Sequence, residues 1–435
     1  MFYKKLLKII SISFIFSAPV FASPHFQIEH WQTKNGAQVF YVYRPQLPIL
    51  DVQIAFAAGS SRDGNKNSGL ASLTTQMLND GAGTLTEDQL ASQLDALGAN
   101  YSVQTDQDMS VLQLRTLTDA NILNPAIHLF SMMASQPTFP ETAFLREQKQ
   151  AIATVQSREQ DPQYLGSELF MRTLYGASPY ADPVYGTINT LQTLTLSQVK
   201  DFYHQYFVSQ NATIAIVGNV TETQAKAIAE ELTIKLATGN KAANLSAPQV
   251  NPATAVSFKF PAQQTTVYLG ELGVERGNKN YFPLLLANFC LGGDMTSRLF
   301  NIVREQHGYT YNISSIFVPL QVPGPFYIFF QSQQKNVNQA IQLTKTILQN
   351  YIATGPTQNE LDAAKQDLIG SFPLRIANNA DITQYLLVIG FYHLPLNYLD
   401  AFQEKMSKVS LSDVQKALKE QLSMNKLIQV TLGPK

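Results

Sequence analysis

Gly64-Asn65-Lys66-Asn67 recurs as Gly277-Asn278-Lys279-Asn280 within one chain of 435 residues. An apolar, β-rich run precedes each copy: Val52-Gln53-Ile54-Ala55-Phe56 in the first, Thr266-Val267-Tyr268-Leu269 in the second. A helix-like apolar run follows each, over 69–78 and 282–291. Further on, Gly98-Ala99-Asn100-Tyr101 echoes Gly308-Tyr309-Thr310-Tyr311, and Leu196-Ser197-Gln198-Val199 echoes Leu411-Ser412-Asp413-Val414. One short identity is chance; a series in the same order at nearly the same offset is duplication. Each copy is too long for a solenoid unit, so the unit duplicated is a whole domain. The expected organisation is a first domain over 27–237, a linker over 238–252 rich in Asn, Ala, Gly and Pro, and a second domain over 253–435.

Within each copy strands and helices interleave. Residues 39–43 read as a strand by β-propensity, and 212–217 and 427–432 as apolar closing strands. Residues 142–157 and 358–369 have helix-like composition. No regular βαβ alternation appears, so the fold class is α+β, with an antiparallel or mixed sheet in each domain.

Hydrophobic residues make up 45%, which excludes general disorder and supports two real cores. The balance of 31 basic and 32 acidic residues gives no footprint for nucleic acid. Lys4, Lys5 and Lys8, an apolar run over 9–16 broken only by Ser11 and Ser13, and Val20-Phe21-Ala22 compose a secretory signal peptide over 1–22. That run is too short to span a bilayer comfortably, and no later stretch has 18 uninterrupted apolar residues. No membrane association is expected after cleavage. A lone Cys290 in an exported chain allows no internal disulfide. Lys-rich targeting without disulfides fits a Gram-negative periplasm.

The chain resembles the insulinase, pitrilysin and mitochondrial processing peptidase family. The resemblance rests on Gly59-Ser60-Ser61-Arg62-Asp63, on Gly69-Leu70-Ala71 opening a helix, on Ser297-Arg298-Leu299-Phe300, and on Val303-Arg304-Glu305 followed by Gly308 and Tyr311. It covers nearly all of the mature chain. It implies two metallopeptidase-like α/β sandwich domains forming half of a clamshell around a peptide chamber.

Active members carry His-x-x-Glu-His on the first helix. Two imidazoles four apart share one helical face and grip Zn²⁺, while the Glu activates the metal-bound water. Here Ser72 and Gln76 stand at the His positions and Thr75 at the Glu position. Glu147 aligns with an acidic residue preceding the family's third ligand, which places Thr154 at that ligand. Hydroxyls are weak zinc ligands, and a threonine is no general base near neutral pH. No catalytic residue and no metal site are therefore expected in this chain. The one acidic-histidine cluster, His25-Phe26-Gln27-Ile28-Glu29-His30, reads as a solvated tail whose histidines diverge. Ser72 lacks a Gly-x-Ser-x-Gly elbow, and Cys290 reads as a buried core thiol. Gly292-Gly293-Asp294 reads as a helix-ending turn, with a substrate-facing loop as the alternative.

What remains is Arg304 and Tyr311, seven apart, matching the Arg and Tyr that members carry in the half opposite the zinc. The resemblance makes them a substrate-binding pair. Arg offers a fixed fork of donors and Tyr one hydroxyl, both suited to a carbonyl developing negative charge. The first half lacks the pair: the repeat places Leu94 at the arginine's position and Tyr101 at the tyrosine's. The functional expectation is a non-catalytic subunit of a heterodimer. A homologous His-x-x-Glu-His subunit would bring zinc and the catalytic Glu, and this chain would help bind a peptide or unfolded protein. The alternative is a peptide-binding or scaffold homodimer without proteolytic activity.

Overall fold

The computed structural model describes residues 26–64 and 66–434. The segment read as a signal peptide, and His25, lie outside the described residues. The first half builds a six-stranded sheet from β1 (Glu29–Gln32), β2 (Gln38–Tyr43), β3 (Ile49–Phe56), β4 (Asn100–Thr105), β5 (Ser110–Leu117) and β6 (Ala212–Gly218). The second half builds a five-stranded sheet from β7 (Thr254–Lys259), β8 (Gln264–Leu272), β9 (Ile313–Phe317), β10 (Pro325–Gln333) and β11 (Ile428–Gly433).

The first sheet runs β1-β2-β6-β3-β5-β4 and the second runs β7-β11-β8-β10-β9. Removing β1 leaves one order shared by both. Each sheet is mixed: β2 with β6, and β7 with β11, are parallel, and the other pairs are antiparallel. The duplication read in the sequence is thus a duplication of topology. The apolar runs at 212–217 and 427–432 do not close their sheets at an edge. β6 lies third from the β1 edge and β11 second from the β7 edge, and every residue of β6 is buried.

Helices of both halves flank the sheets. Those used below are α1 (Leu70–Gln76), α2 (Glu141–Arg158), α3 (Pro162–Tyr175), α4 (Tyr281–Asn288), α5 (Gln358–Ser371) and α6 (Asn379–Phe391). Two of them cross over. The first half's α3 packs on β8 and β11 of the second sheet, where Phe170 stacks on Tyr268 at 5.7 Å between ring centroids. The second half's α6 packs on β2, β3 and β6 of the first sheet. A glycine marks each crossing. A Cβ on Gly166 would meet the Tyr268 ring at 3.0 Å, and one on Gly390 would meet the Phe40 ring at 2.3 Å. Residues 237–253 form no helix or strand, yet the two halves share core through these exchanged helices.

A buried carboxylate locks the same junction. Asp108, in the β4–β5 turn, accepts hydrogen bonds from the Tyr180 hydroxyl of its own half. It also accepts from the Gln321 amide at 2.9 Å and the Tyr392 hydroxyl at 2.8 Å, both from the second half.

The expectation of a solvated tail at 25–30 is corrected. Phe26 is buried and its N–H donates to Asp400, while His30 lies in edge strand β1, stacked on Phe40. The strand forms because residues 29–32 pair antiparallel with 38–41, an option a local reading of charges does not reveal. Cys290 is buried as read, and burial pushes its thiol up to about 12, far from a reactive thiolate.

Candidate functional site

The Gly59–Asp63 stretch sets the first half's site. Asp63 is buried and accepts from the N–H groups of Gly69 and Ala71, each at 2.7 Å, at the start of α1. Burial, opposed by these bonds, pushes its carboxyl well above the usual carboxylate range. The carboxylate satisfies donors that a helix start leaves unpaired. Sequence reading did not assign this role, although an acidic residue shortly before a helix is its usual signal.

On α1 the residues at the ligand positions no longer share one environment. Ser72 is half-buried and Gln76 is exposed, whereas Thr75 is 1% exposed. The Thr75 hydroxyl lies 2.7 Å from both the Ala71 carbonyl and the Ser110 hydroxyl, and Ser110 donates to the Ala58 carbonyl at 2.8 Å. The place of a general base is therefore occupied by a hydroxyl tied into the β3–β5 wall. Thr154 sits on α2, which packs against α1, and its hydroxyl turns back to the Gln150 carbonyl at 2.9 Å. Helix packing thus brings together the helices bearing Ser72, Thr75, Gln76 and Thr154.

The acidic residues nearest in the chain are committed elsewhere. The Arg146 guanidinium holds Asp80 at 2.6 Å, Glu87 at 2.8 Å and Glu147 at 3.0 Å. Burial and the neighbouring Glu147 push Asp80 up to about 7 despite the arginine. Among the described residues no three His, Cys, Asp or Glu side chains gather as a metal would require. The donor set present does not fit a zinc ion.

The second half is built differently. α4 runs into a wide helical turn, Phe289–Gly293, and a second wide-turned stretch spans Phe300–Gln306. Such turns are uncommon inside helices and concentrate at functional sites. Arg298, between them, forms a two-pronged ion pair with Glu360 of α5, at 3.0 and 2.5 Å, and pins this loop to the helix behind it. Sequence reading identified the Ser-Arg-Leu-Phe motif without this anchoring role, because the partner lies 62 residues away.

Arg304 and Tyr311 come together. The Arg304 guanidinium carbon lies 4.4 Å from the Phe300 ring centroid and 5.2 Å from that of Tyr311. Gly308, at φ +60°, turns the chain after the helical stretch and donates to the Arg304 carbonyl at 2.9 Å. Tyr311 lies two residues before β9 and is 83% exposed. A tyrosine core role is thereby excluded. Met295, in the turn after Gly293, is 72% exposed. This surface offers a fixed cation, a free hydroxyl and apolar area.

Known proteins resemble this chain over most of its length. Residues 38–188 match the insulinase family (peptidase family M16), and residues 193–368 match the peptidase M16 inactive domain. A non-peptidase homologue, YmxG of Helicobacter pylori, is 26% identical over 407 residues, covering 91% of this chain and 92% of that protein. An uncharacterised zinc protease, YmxG of Bacillus subtilis, is 24% identical over 353 residues, covering 80% and 84%. The crystal structure of a peptidase M16 inactive domain from Pseudomonas fluorescens superposes with a TM-score of 0.91 at 35% identity, covering 94% of this chain and 98% of that one. With its fold, its duplicated topology and these matches, the chain belongs to the insulinase family, peptidase family M16, as a member whose metal-binding and catalytic positions are replaced.

Proposed function

We propose that this chain is the non-catalytic subunit of a periplasmic insulinase-like peptidase heterodimer. A homologous His-x-x-Glu-His subunit supplies zinc and the catalytic Glu, and this chain supplies Arg304 and Tyr311 to peptide bound between the two. The observation that carries the reading is the pair itself: an oriented guanidinium beside a tyrosine that is 83% exposed and forms no part of the core. A large aromatic side chain held in water next to a cation fits a surface completed by something else. The Arg304 N–H groups and the Tyr311 hydroxyl can both donate to a peptide carbonyl, and they favour the state in which its oxygen is most negative. The periplasmic assignment rests on the N-terminal composition, and the partner on the loss of every zinc position in a chain that keeps the pair.

The test is recovery of the tagged mature chain from native extract, with identification of co-purifying proteins and a peptide-cleavage assay. A His-x-x-Glu-His homologue in the eluate, with cleavage abolished by chelator, supports the proposal. Arg304→Ala in the reconstituted pair should lower kcat about 100-fold or more, the usual cost of one oxyanion donor. Recovery of this chain alone, inert towards peptides but binding them, contradicts the heterodimer and points to the scaffold homodimer.

A further inference from the structure

A polar cavity lies where the two halves meet, with neither Arg304 nor Tyr311 in its wall. Its volume is about 410 Å³, and its walls include Arg62 and Gln210 of the first half, Lys241 and Asn244 between the sheets, and Gln321 and His393 of the second. That size falls in the range of roughly 300–1,000 Å³ common for small-ligand sites. No Asp or Glu lines it.

Arg62 is the unusual member. It ends the short helical turn Ser60–Arg62, held between Asp63, which serves α1, and the Asp108 junction. Its Nε is sealed from solvent without a hydrogen-bond partner, and it forms no ion pair among the described residues. Asp108 is near but spends its carboxylate on Tyr180, Tyr392 and the Gln321 amide. Burial accordingly lowers the arginine's pKa. Across the cavity Lys241 Nζ stands 3.4 Å from His393 Nε2, and burial together with that lysine holds His393 below its ordinary value. The Gln321 Oε1 is likewise sealed and without a donor. Arg62 is half-buried, so water can complete hydrogen bonds there, and an anion gains in addition from the positive charges of Arg62 and Lys241.

We propose that this cavity binds a small organic carboxylate that carries its own hydrogen-bond donor, the chemistry of amino acids and hydroxy acids. The carboxylate faces Arg62 and Lys241, and the ligand's N–H or O–H meets the side-chain amides of Gln210 and Asn244 in the same wall. Because its walls come from both halves, the site exists only when they are docked, and its occupation tightens that docking. The proposal is independent of the Arg304–Tyr311 pair.

The test uses the full mature chain, with calorimetric titration and thermal unfolding in sodium L-glutamate, sodium lactate, sodium acetate and sodium phosphate. Sodium chloride at matched ionic strength is the reference. Saturable binding and a raised melting temperature with glutamate or lactate, exceeding acetate, are expected. Arg62→Gln should weaken binding about tenfold or more, as loss of a charge-assisted contact does. Lys241→Ala, at an exposed position, should weaken it severalfold and serves if Arg62→Gln does not fold. Absence of saturable binding by every anion overturns the proposal. So does binding by phosphate alone, or an affinity unchanged in the variants.

Discussion

The segment around α1 and the segment from α4 to Tyr311 are repeat counterparts, yet they do opposite things with the same scaffold. In the first half an internal carboxylate, Asp63, closes the helix start, and Thr75 is sealed into the β-sheet wall. In the second half the repeat puts Arg276 at Asp63's position, the helix widens into irregular turns, and Met295 and Tyr311 stand in solvent. The first site has been absorbed into packing and the second kept open. The difference teaches that losing ligands is only part of how a catalytic half becomes structural. At Thr75 the side chain is also held by hydrogen bonds to Ala71 and Ser110.

The comparison requires both halves to be locked in one arrangement, so the largest effect is expected at the lock. Asp108→Ala strips the acceptor from three donors at once and should cost about 5 kcal/mol, since bonds to a charged group are worth about 1.5–3 kcal/mol each. Urea unfolding should show this as a lower midpoint. A midpoint unchanged within error would mean the halves are held without it.

Next comes a direct contrast between the two segments. Thr75→Glu restores the family's acid at a position that is 1% exposed, and burying that carboxyl should cost about 3 kcal/mol. Tyr311→Glu, at 83% exposure, should stay within about 0.5 kcal/mol. Equal costs in thermal unfolding would erase the distinction between a sealed and an open site.

The exchanged helices give an intermediate case. Gly390→Ala pushes a methyl group into Phe40 and should cost about 1–3 kcal/mol, as overpacking does. Free accommodation would show that α6 sits loosely on the first sheet.

The smallest effect is electrostatic. Burial pushes the Glu271 carboxyl up to about 7, partly offset by the Ser423 N–H, so the folded chain holds a proton that the unfolded chain releases near the ordinary glutamate value. The stability this contributes is complete below that ordinary value and is lost as pH rises through 7. Glu271→Gln should flatten that fall between pH 5 and 8 in a series of melting curves. An identical slope in the variant would assign the fall to other groups.

Much of this was legible in the sequence, and the reason is periodicity. Short identities in fixed order revealed the duplication, and apolar, β-rich runs placed β2, β3, β6, β8 and β11. Ser72, Thr75 and Gln76 stand out only through the resemblance, which rests on Gly69-Leu70-Ala71 opening the helix. What escaped depends on contacts between distant residues. The exchange of α3 and α6 is invisible to any local window, since each helix is amphipathic whichever sheet it covers. The partners of Asp108 and Arg298 lie far along the chain. The edge strand β1 was hidden for the same reason, because its pairing rather than its composition makes it a strand.

The central claim is that ligand recognition resides in the open second-half segment and not in the sealed first-half one. Anisotropy of a fluorescently labelled unfolded peptide, titrated with the mature chain and its assembled complex, tests it most directly. Arg304→Ala with Tyr311→Ala should weaken binding about tenfold or more, whereas Ser72→Ala with Gln76→Ala should leave it unchanged. Loss of binding in the Ser72 and Gln76 variant, with the Arg304 and Tyr311 variant intact, would contradict the account.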